Sequence, residues 1–260
     1  MLATAALILI VTSKAVLGKD DKEPGDGQIY PLDMAPDSVD DMYDRCTDKM
    51  EVRVLTTYLN KEICPNISFF GDVWLSSTGR MPGLDQLKIH NLIAIHMYSR
   101  YVIYEPFNQD VRTGKQKYQN NTYTWYSLHF FLTQAIQILK KTQTECMVTY
   151  RGTNVTFNES VLYKEIRFGS FASSSLDREV AREFGIESCF EIETCHGANV
   201  SKYSQKPDEE EVLIPPYETF NVTDIRKDDW CKTVFKLNST GIRSDLNCAV
   251  ASAKPQISQC

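Results

Sequence analysis

The chain has 260 residues, of which 42% are hydrophobic, and a formal net charge of −6. That is enough apolar material for a sizeable core in one large domain or two small ones. Acids and bases are interspersed and no Lys/Arg stripe stands out, which argues against a nucleic-acid partner.

Leu2 to Val11 is almost unbroken apolar sequence, too short to span a bilayer. Val16 and Gly18 stand at −3 and −1 of a cut before Lys19. This predicts a signal peptide over 1–18, although the usual early positive charge is missing. A buried N-terminal helix is the alternative, and the polar stretch Lys19 to Gly27 disfavours it. From about residue 31 to 143 the pattern is helical. Ser38 is placed to cap a helix with Val39, Met42, Cys46, Met50 and Val54 on one face. Leu84, Leu87, Leu92, Ile95 and Tyr98 give a second helix. Trp125, Leu128, Leu132, Ala135 and Leu139 give a third. These stripes read as core packing.

From about 144 to 251 short β-rich runs take over: Cys146 to Tyr150, Ile166 to Ala172, Cys189 to Ile192, Val212 to Ile214, Tyr217 to Val222 and Thr233 to Leu237. One short helix interrupts them, with Leu176, Val180 and Phe184 as its apolar face and Gly185 as its stop. Helices first and strands afterwards argue for an α+β fold in one domain over 19–260, not for a βαβ repeat.

Eight cysteines are scattered along the chain, at Cys46, Cys64, Cys146, Cys189, Cys195, Cys231, Cys248 and Cys260. None has metal-site spacing, so disulfides are the better reading and no metal is expected. Seven N-x-[ST] sequons, at Asn66, Asn120, Asn154, Asn158, Asn199, Asn221 and Asn238, agree with export and glycosylation. The final run Ala249 to Cys260 lacks the hydrophobic tail of a lipid-anchored surface protein. The expectation is a secreted, soluble monomer without a membrane anchor.

Three motifs in the strand-rich half are suited to chemistry. Arg151-Gly152 ends a predicted strand, pairing a planar fork of donors for phosphate oxygens with a residue that lets a ligand approach the backbone. Alone, such an arginine reads as solvated or salt-bridged. Ser173-Ser174-Ser175 follows a strand and precedes a helix, so one serine serves as an N-cap on the structural reading. On the functional reading, a hydroxyl there binds a ribose or orients an acid. In Glu209-Glu210-Glu211, alternation along an extended segment puts Glu209 and Glu211 on one face. An acidic run by itself reads as a solvated loop. Two carboxylates leading into an apolar strand are costly unless bonded or used.

In this order the motifs resemble the Arg–Ser–Glu-x-Glu signature of the vertebrate extracellular arginine-specific mono-ADP-ribosyltransferases. The block Glu211 to Glu218 is similar to that family's strand after the catalytic Glu. Phe168 to Phe184 is similar to its Ser motif and following helix, and His129 to Ala135 to its helical signature. Asp33-Met34-Ala35, Asp40 to Tyr43 and Cys46 resemble its mature N-terminus. Departures are Trp125-Tyr126, where the family has Phe or Tyr and then Lys, Ser174 where it has Thr, and the missing tail.

The resemblance implies a helical part packed on a two-sheet β core that forms an NAD-binding cleft. It implies transfer of ADP-ribose from NAD⁺ (or NADP⁺) to arginine side chains of extracellular or cell-surface proteins, with release of nicotinamide and without a metal. Arg151 and Gly152 would bind the dinucleotide. Ser173, with Ser174 as the fallback, would support the nicotinamide ribose and orient the acid, and Ser175 would join the cofactor site. Glu211 would hold the ribose 2′-hydroxyl and stabilise the cationic transition state. Glu209 would bind the acceptor guanidinium and assist its proton loss. The pairings Cys46–Cys248 and Cys146–Cys195 also follow from the resemblance, which leaves Cys64, Cys189, Cys231 and Cys260 unassigned. An NAD⁺ glycohydrolase using the same residues, or a non-enzymatic secreted glycoprotein, are the alternatives.

Overall fold

The computed structural model describes residues 28–64, 69–78 and 86–252. The signal-peptide segment, Asn66, Leu84 and Cys260 lie outside the described residues.

The helix expected from Ser38 begins only at Thr47. Ser38 donates its hydroxyl to the Gly169 carbonyl at 2.7 Å instead of capping. The residues between are held by distant partners. Asp40 is fully buried against Arg167 at 2.5 Å and accepts from the Asp245 and Leu246 amides, each at 2.9 Å. Asp41 accepts from Cys248 N at 2.9 Å and Tyr118 Oη at 2.8 Å. Tyr43 and Arg45 take positive φ of 59° and 64°, which no helix accommodates. Long-range anchoring of two acids thus overrides the local apolar period.

The helical layer then runs α1 (Thr47–Arg53), a π-helical turn (Val54–Tyr58), α2 (Leu59–Glu62), α3 (Phe69–Ser77), α4 (Ile89–Tyr98), α5 (Tyr101–Thr113), α6 (Lys115–Gln119) and α7 (Tyr126–Lys140). The second and third predicted helices correspond to α4 and α7. Most of α7 is buried, because α4, α2 and the π-helical turn pack on it and its other side meets the sheet. Its N-terminus is closed by Glu62, which accepts from the Tyr126 and Ser127 amides at 2.8 and 3.1 Å. Burial pushes Glu62 up to about 8, against the pull of those donors. Pro106 lies inside α5 and masks that helix in the sequence.

The strands are β1 (Ile29–Tyr30), β2 (Met147–Thr153), β3 (Thr156–Phe157), β4 (Glu165–Ile166), β5 (Ala172–Ser175), β6 (Ser188–Thr194), β7 (Ala198–Asn199), β8 (Glu211–Ile214), β9 (Glu218–Lys227) and β10 (Thr233–Ile242). β1 pairs with β3, and the rest form one mixed sheet in the order β4-β9-β10-β6-β2-β5-β8-β7. The expected two-sheet core is therefore hydrogen-bonded into one sheet. Its two parts meet at β2 and β5, where only Tyr150 and Ser175 are paired. The predicted strand Ile166 to Ala172 is likewise split between β4 and β5. Arg167 turns inward to Asp40, and Gly169 takes a φ of 71°.

The three-stranded part lies between two cores. Phe171 and Leu213 join the helical core, whereas Ala172 and Ile214 join Phe190, Phe220 and Phe235 in a second core. This is the period-2 alternation of a strand buried on both faces. The inserted helix, α8 (Arg178–Arg182), is capped by Asp177, which accepts from Glu179 N at 2.7 Å. Its buried residue is Ala181, and Leu176 from the expected apolar face is 38% exposed.

Three disulfides are formed between described residues. Cys46–Cys248 ties the start of α1 to the last turn, Cys146–Cys195 spans β2 and β6, and Cys189–Cys231 joins β6 to the turn before β10. Cys64 is disulfide-bonded as well. Among the described residues no helix is long and apolar enough to cross a membrane.

Candidate active site

Glu211 opens β8 and lies directly across from Ser175 of β5. Its side chain is 1% exposed, and neither carboxylate oxygen has a hydrogen-bond partner among the described residues. Burial pushes Glu211 up to about 7. The Ser173 and Ser204 hydroxyls and the Arg151 guanidinium pull the other way, without the serines reaching hydrogen-bond geometry.

Glu209 and Glu211 come together by a route the alternation does not describe. Pro207–Glu209 forms a 3-10 turn, and Glu210 is left-handed at φ 46° and ψ 44°. The segment is a turn, because β5 holds it from the side. Ser175 Oγ donates to the Glu209 carbonyl at 2.8 Å, and Leu176 N to the Glu210 carbonyl at 3.2 Å. Glu210 is exposed, while the Glu209 carboxylate is close enough for repulsion from Glu211 to raise it. Burial first, then that repulsion, pushes Glu209 up to about 7, and Lys206 at 3.9 Å offsets part of the rise.

Arg151 is buried and its Nη1 donates to the Ser173 carbonyl at 2.8 Å. The guanidinium thus ties β2 to β5 where backbone pairing is thinnest. Arg151 also lines a cavity of about 770 Å³, walled by Phe157, Phe168 and Phe190, by Arg167, and by Glu105, Gln109 and Arg112 of α5. Gly152 has a packing role as well. A Cβ there would sit 2.3 Å from the Ala181 carbonyl oxygen and 2.4 Å from that of Gly185. Ser174 Oγ is committed to the Val212 carbonyl at 2.9 Å. Ser175 donates to Glu209 and accepts from Asp177 N at 3.0 Å. Of the three serines, Ser173 is the one whose hydroxyl faces Glu211. Among the described residues no His, Cys, Asp or Glu group is arranged to hold a metal ion.

Sequence reasoning missed Tyr98 and Asn108 behind Ser173 and Ser204 beside Glu211; the cavity walled by α5 reaches Arg151 but is not lined by Ser173, Glu209 or Glu211. Asn108 was the available signal, an amide on an otherwise apolar helix face.

A family profile described as NAD:arginine ADP-ribosyltransferase matches residues 32–245. The chain belongs to that family. It is 31% identical to the chicken (Gallus gallus) erythroblast NAD(P)(+)--arginine ADP-ribosyltransferase, over 97% of this chain and 86% of that protein. It is 34% identical to human (Homo sapiens) ecto-ADP-ribosyltransferase 5, over 95% and 89%. Among solved structures, the eukaryotic mono-ADP-ribosyltransferase ART2.2 superposes with a TM-score of 0.70 at 29% identity, over 84% of this chain and 98% of that one. Variants of ART2.2 have been crystallised with NADH and with NAD. The family relationship thus covers both the helical layer and the sheet.

Proposed function

We propose that this protein transfers ADP-ribose from NAD⁺ to arginine side chains, releasing nicotinamide. The observation that carries the reading is Glu211, a buried carboxylate with two unpartnered oxygens, placed beside a second carboxylate. A chain that only folds has no use for that arrangement, because an unpaired buried acid costs stability. Arg151 on the cavity wall is suited to the diphosphate, with Gly152 keeping the adjoining backbone compact. Ser173 supports the nicotinamide ribose and orients Glu211. Glu211 accepts the ribose 2′-hydroxyl and stabilises positive charge as the bond from C1′ to the nicotinamide nitrogen breaks. Glu209 takes the planar fork of the acceptor guanidinium and receives its proton as nitrogen bonds to C1′. Ser175 contributes by fixing Glu209.

Oxidised cysteines and the ecto-enzyme names of relatives support action outside the cell. The finer reading is a secreted, monomeric glycoprotein comprising one catalytic domain from Lys19 onward, with N-terminal sequencing as its check. Asn120, Asn154 and Asn158 are exposed and are the favoured glycan sites, whereas Asn199, Asn221 and Asn238 are partly buried.

The purified protein is incubated with labelled NAD⁺, with and without agmatine. Label on agmatine is expected. Free ADP-ribose alone would replace the transferase with a glycohydrolase at the same residues, and no NAD⁺ consumption under oxidising or reducing conditions would refute both.

A further inference from the structure

Tyr98 ends α4 with 1% of its surface exposed, and its ring is wedged edge-on against Tyr104, Phe107 and Phe171. Asn108 of α5 donates its Nδ2 to Tyr98 Oη at 3.1 Å. Tyr98 Oη in turn lies 3.2 Å from the Phe171 carbonyl oxygen and 3.3 Å from Ser173 Oγ. Asn108 is fully buried, and its Oδ1 has no partner among the described residues. Keeping an amide there costs desolvation that an apolar residue of the same shape would avoid. The bond to Tyr98 is what the amide supplies.

Through the phenol oxygen the bond reaches Ser173. A phenol carries one proton. Asn108 fills one of its acceptor sites, and the Phe171 carbonyl, which can only accept, competes with Ser173 Oγ for that proton. Whichever oxygen donates, the contact between Tyr98 and Ser173 fixes the position of the serine hydroxyl beside Glu211.

We propose that Tyr98, held by Asn108, is a positioning residue for Ser173, fixing the place of the serine hydroxyl beside Glu211 and the ribose bound there. This rests on the function proposed above for Ser173 and Glu211, and extends it to two residues outside the motifs. Neither touches substrate. Both sit in the helical layer, so the catalytic serine is set by α4 and α5 as much as by its own strand.

The test is a double-mutant cycle on NAD⁺ cleavage, read as kcat and KM. Wild-type cleavage in the same assay is the control. Its absence would overturn the parent reading and this proposal with it. Tyr98→Phe removes one oxygen and leaves the ring packing. It is expected to lower kcat about five- to tenfold, the value of one neutral hydrogen bond, with KM for NAD⁺ within about twofold. In a Ser173→Ala background the same change is expected to have no further effect, because its target is gone. Asn108→Leu gives a second route if Tyr98→Phe folds poorly, since it deletes the bond and keeps the volume. It is expected to lower kcat less, and again only while Ser173 is present. An unchanged kcat in Tyr98→Phe with wild-type activity intact, or equal losses with and without Ser173, would overturn the proposal.

Discussion

Glu211→Gln should inactivate the enzyme and make it more stable in alkali. The two effects share one cause. A buried carboxyl raised from 4.5 to about 7 keeps protons that the unfolded chain has already released. Stability on this account is full below 4.5 and falls as pH rises towards 7, after which the loss is complete. At about 1.36 kcal/mol per pH unit, the loss is about 3 kcal/mol. Glutamine has the same shape and does not ionise. The variant should therefore lack this fall, and its Tm advantage should grow by roughly 6 to 12 °C between pH 5 and pH 8.5. Comparing the two pH values cancels the cost of burying the amide, which is the same at both. Glu209 reinforces the difference, because it loses a like-charged neighbour. Thermal unfolding across pH measures this directly. Activity moves the other way: kcat for NAD⁺ cleavage should drop by at least about a hundredfold with the charge gone, and wild-type kcat/KM should rise with pH through about 7 as Glu211 ionises. A Tm difference that stays flat with pH, or an active Glu211→Gln protein, would refute the use of Glu211 as a buried, unpaired anion.

Glu209→Gln should retain NAD⁺ cleavage and lose transfer to agmatine. Normal agmatine labelling by that variant would remove the role given to Glu209. Gly152→Ala should lower Tm by several degrees, since the added carbon meets two backbone carbonyl oxygens that cannot rotate away. The expected cost is about 1–3 kcal/mol, and an unchanged Tm would show that the α8 contact is slack. Arg167→Ala leaves Asp40 buried without its cation and should cost about 3–5 kcal/mol. Denaturant unfolding is the check, and a loss below about 1 kcal/mol would mean that the Asp245 and Leu246 amides suffice for Asp40.

The sheet was largely legible in the sequence, because its central strands alternate or run apolar over lengths that only strands fit. The helices were legible where one apolar face persisted, as in α4 and α7. They were hidden where Pro106 interrupts α5 and where Asp40 and Asp41, bound by residues about 205 positions away, hold the chain out of a helix. Such anchoring leaves no local trace, since the partners, the Arg167 and Tyr118 side chains and several backbone amides, are all distant in sequence. The Cys189–Cys231 pair was beyond the sequence for the same reason.

The acidic run shows how a correct pairing can come from an incorrect geometry. Strand alternation placed Glu209 and Glu211 on one face, and they do interact. Yet Glu210 is left-handed, and no strand passes through it. What brings the two carboxylates together is the edge of β5, with Ser175 binding the Glu209 carbonyl and Leu176 the Glu210 carbonyl. Their separation therefore depends on a serine hydroxyl, not on the fixed repeat of a strand. Ser175, expected as a cofactor residue from the motif, has its hydroxyl engaged by protein on both sides. On the role proposed for Glu209, it positions the acid that takes the acceptor. On the proposed roles, loss of that hydroxyl should let Glu209 drift while Glu211 stays anchored by the Val200 amide on its carbonyl, so Ser175→Ala should lower transfer to agmatine more than NAD⁺ cleavage.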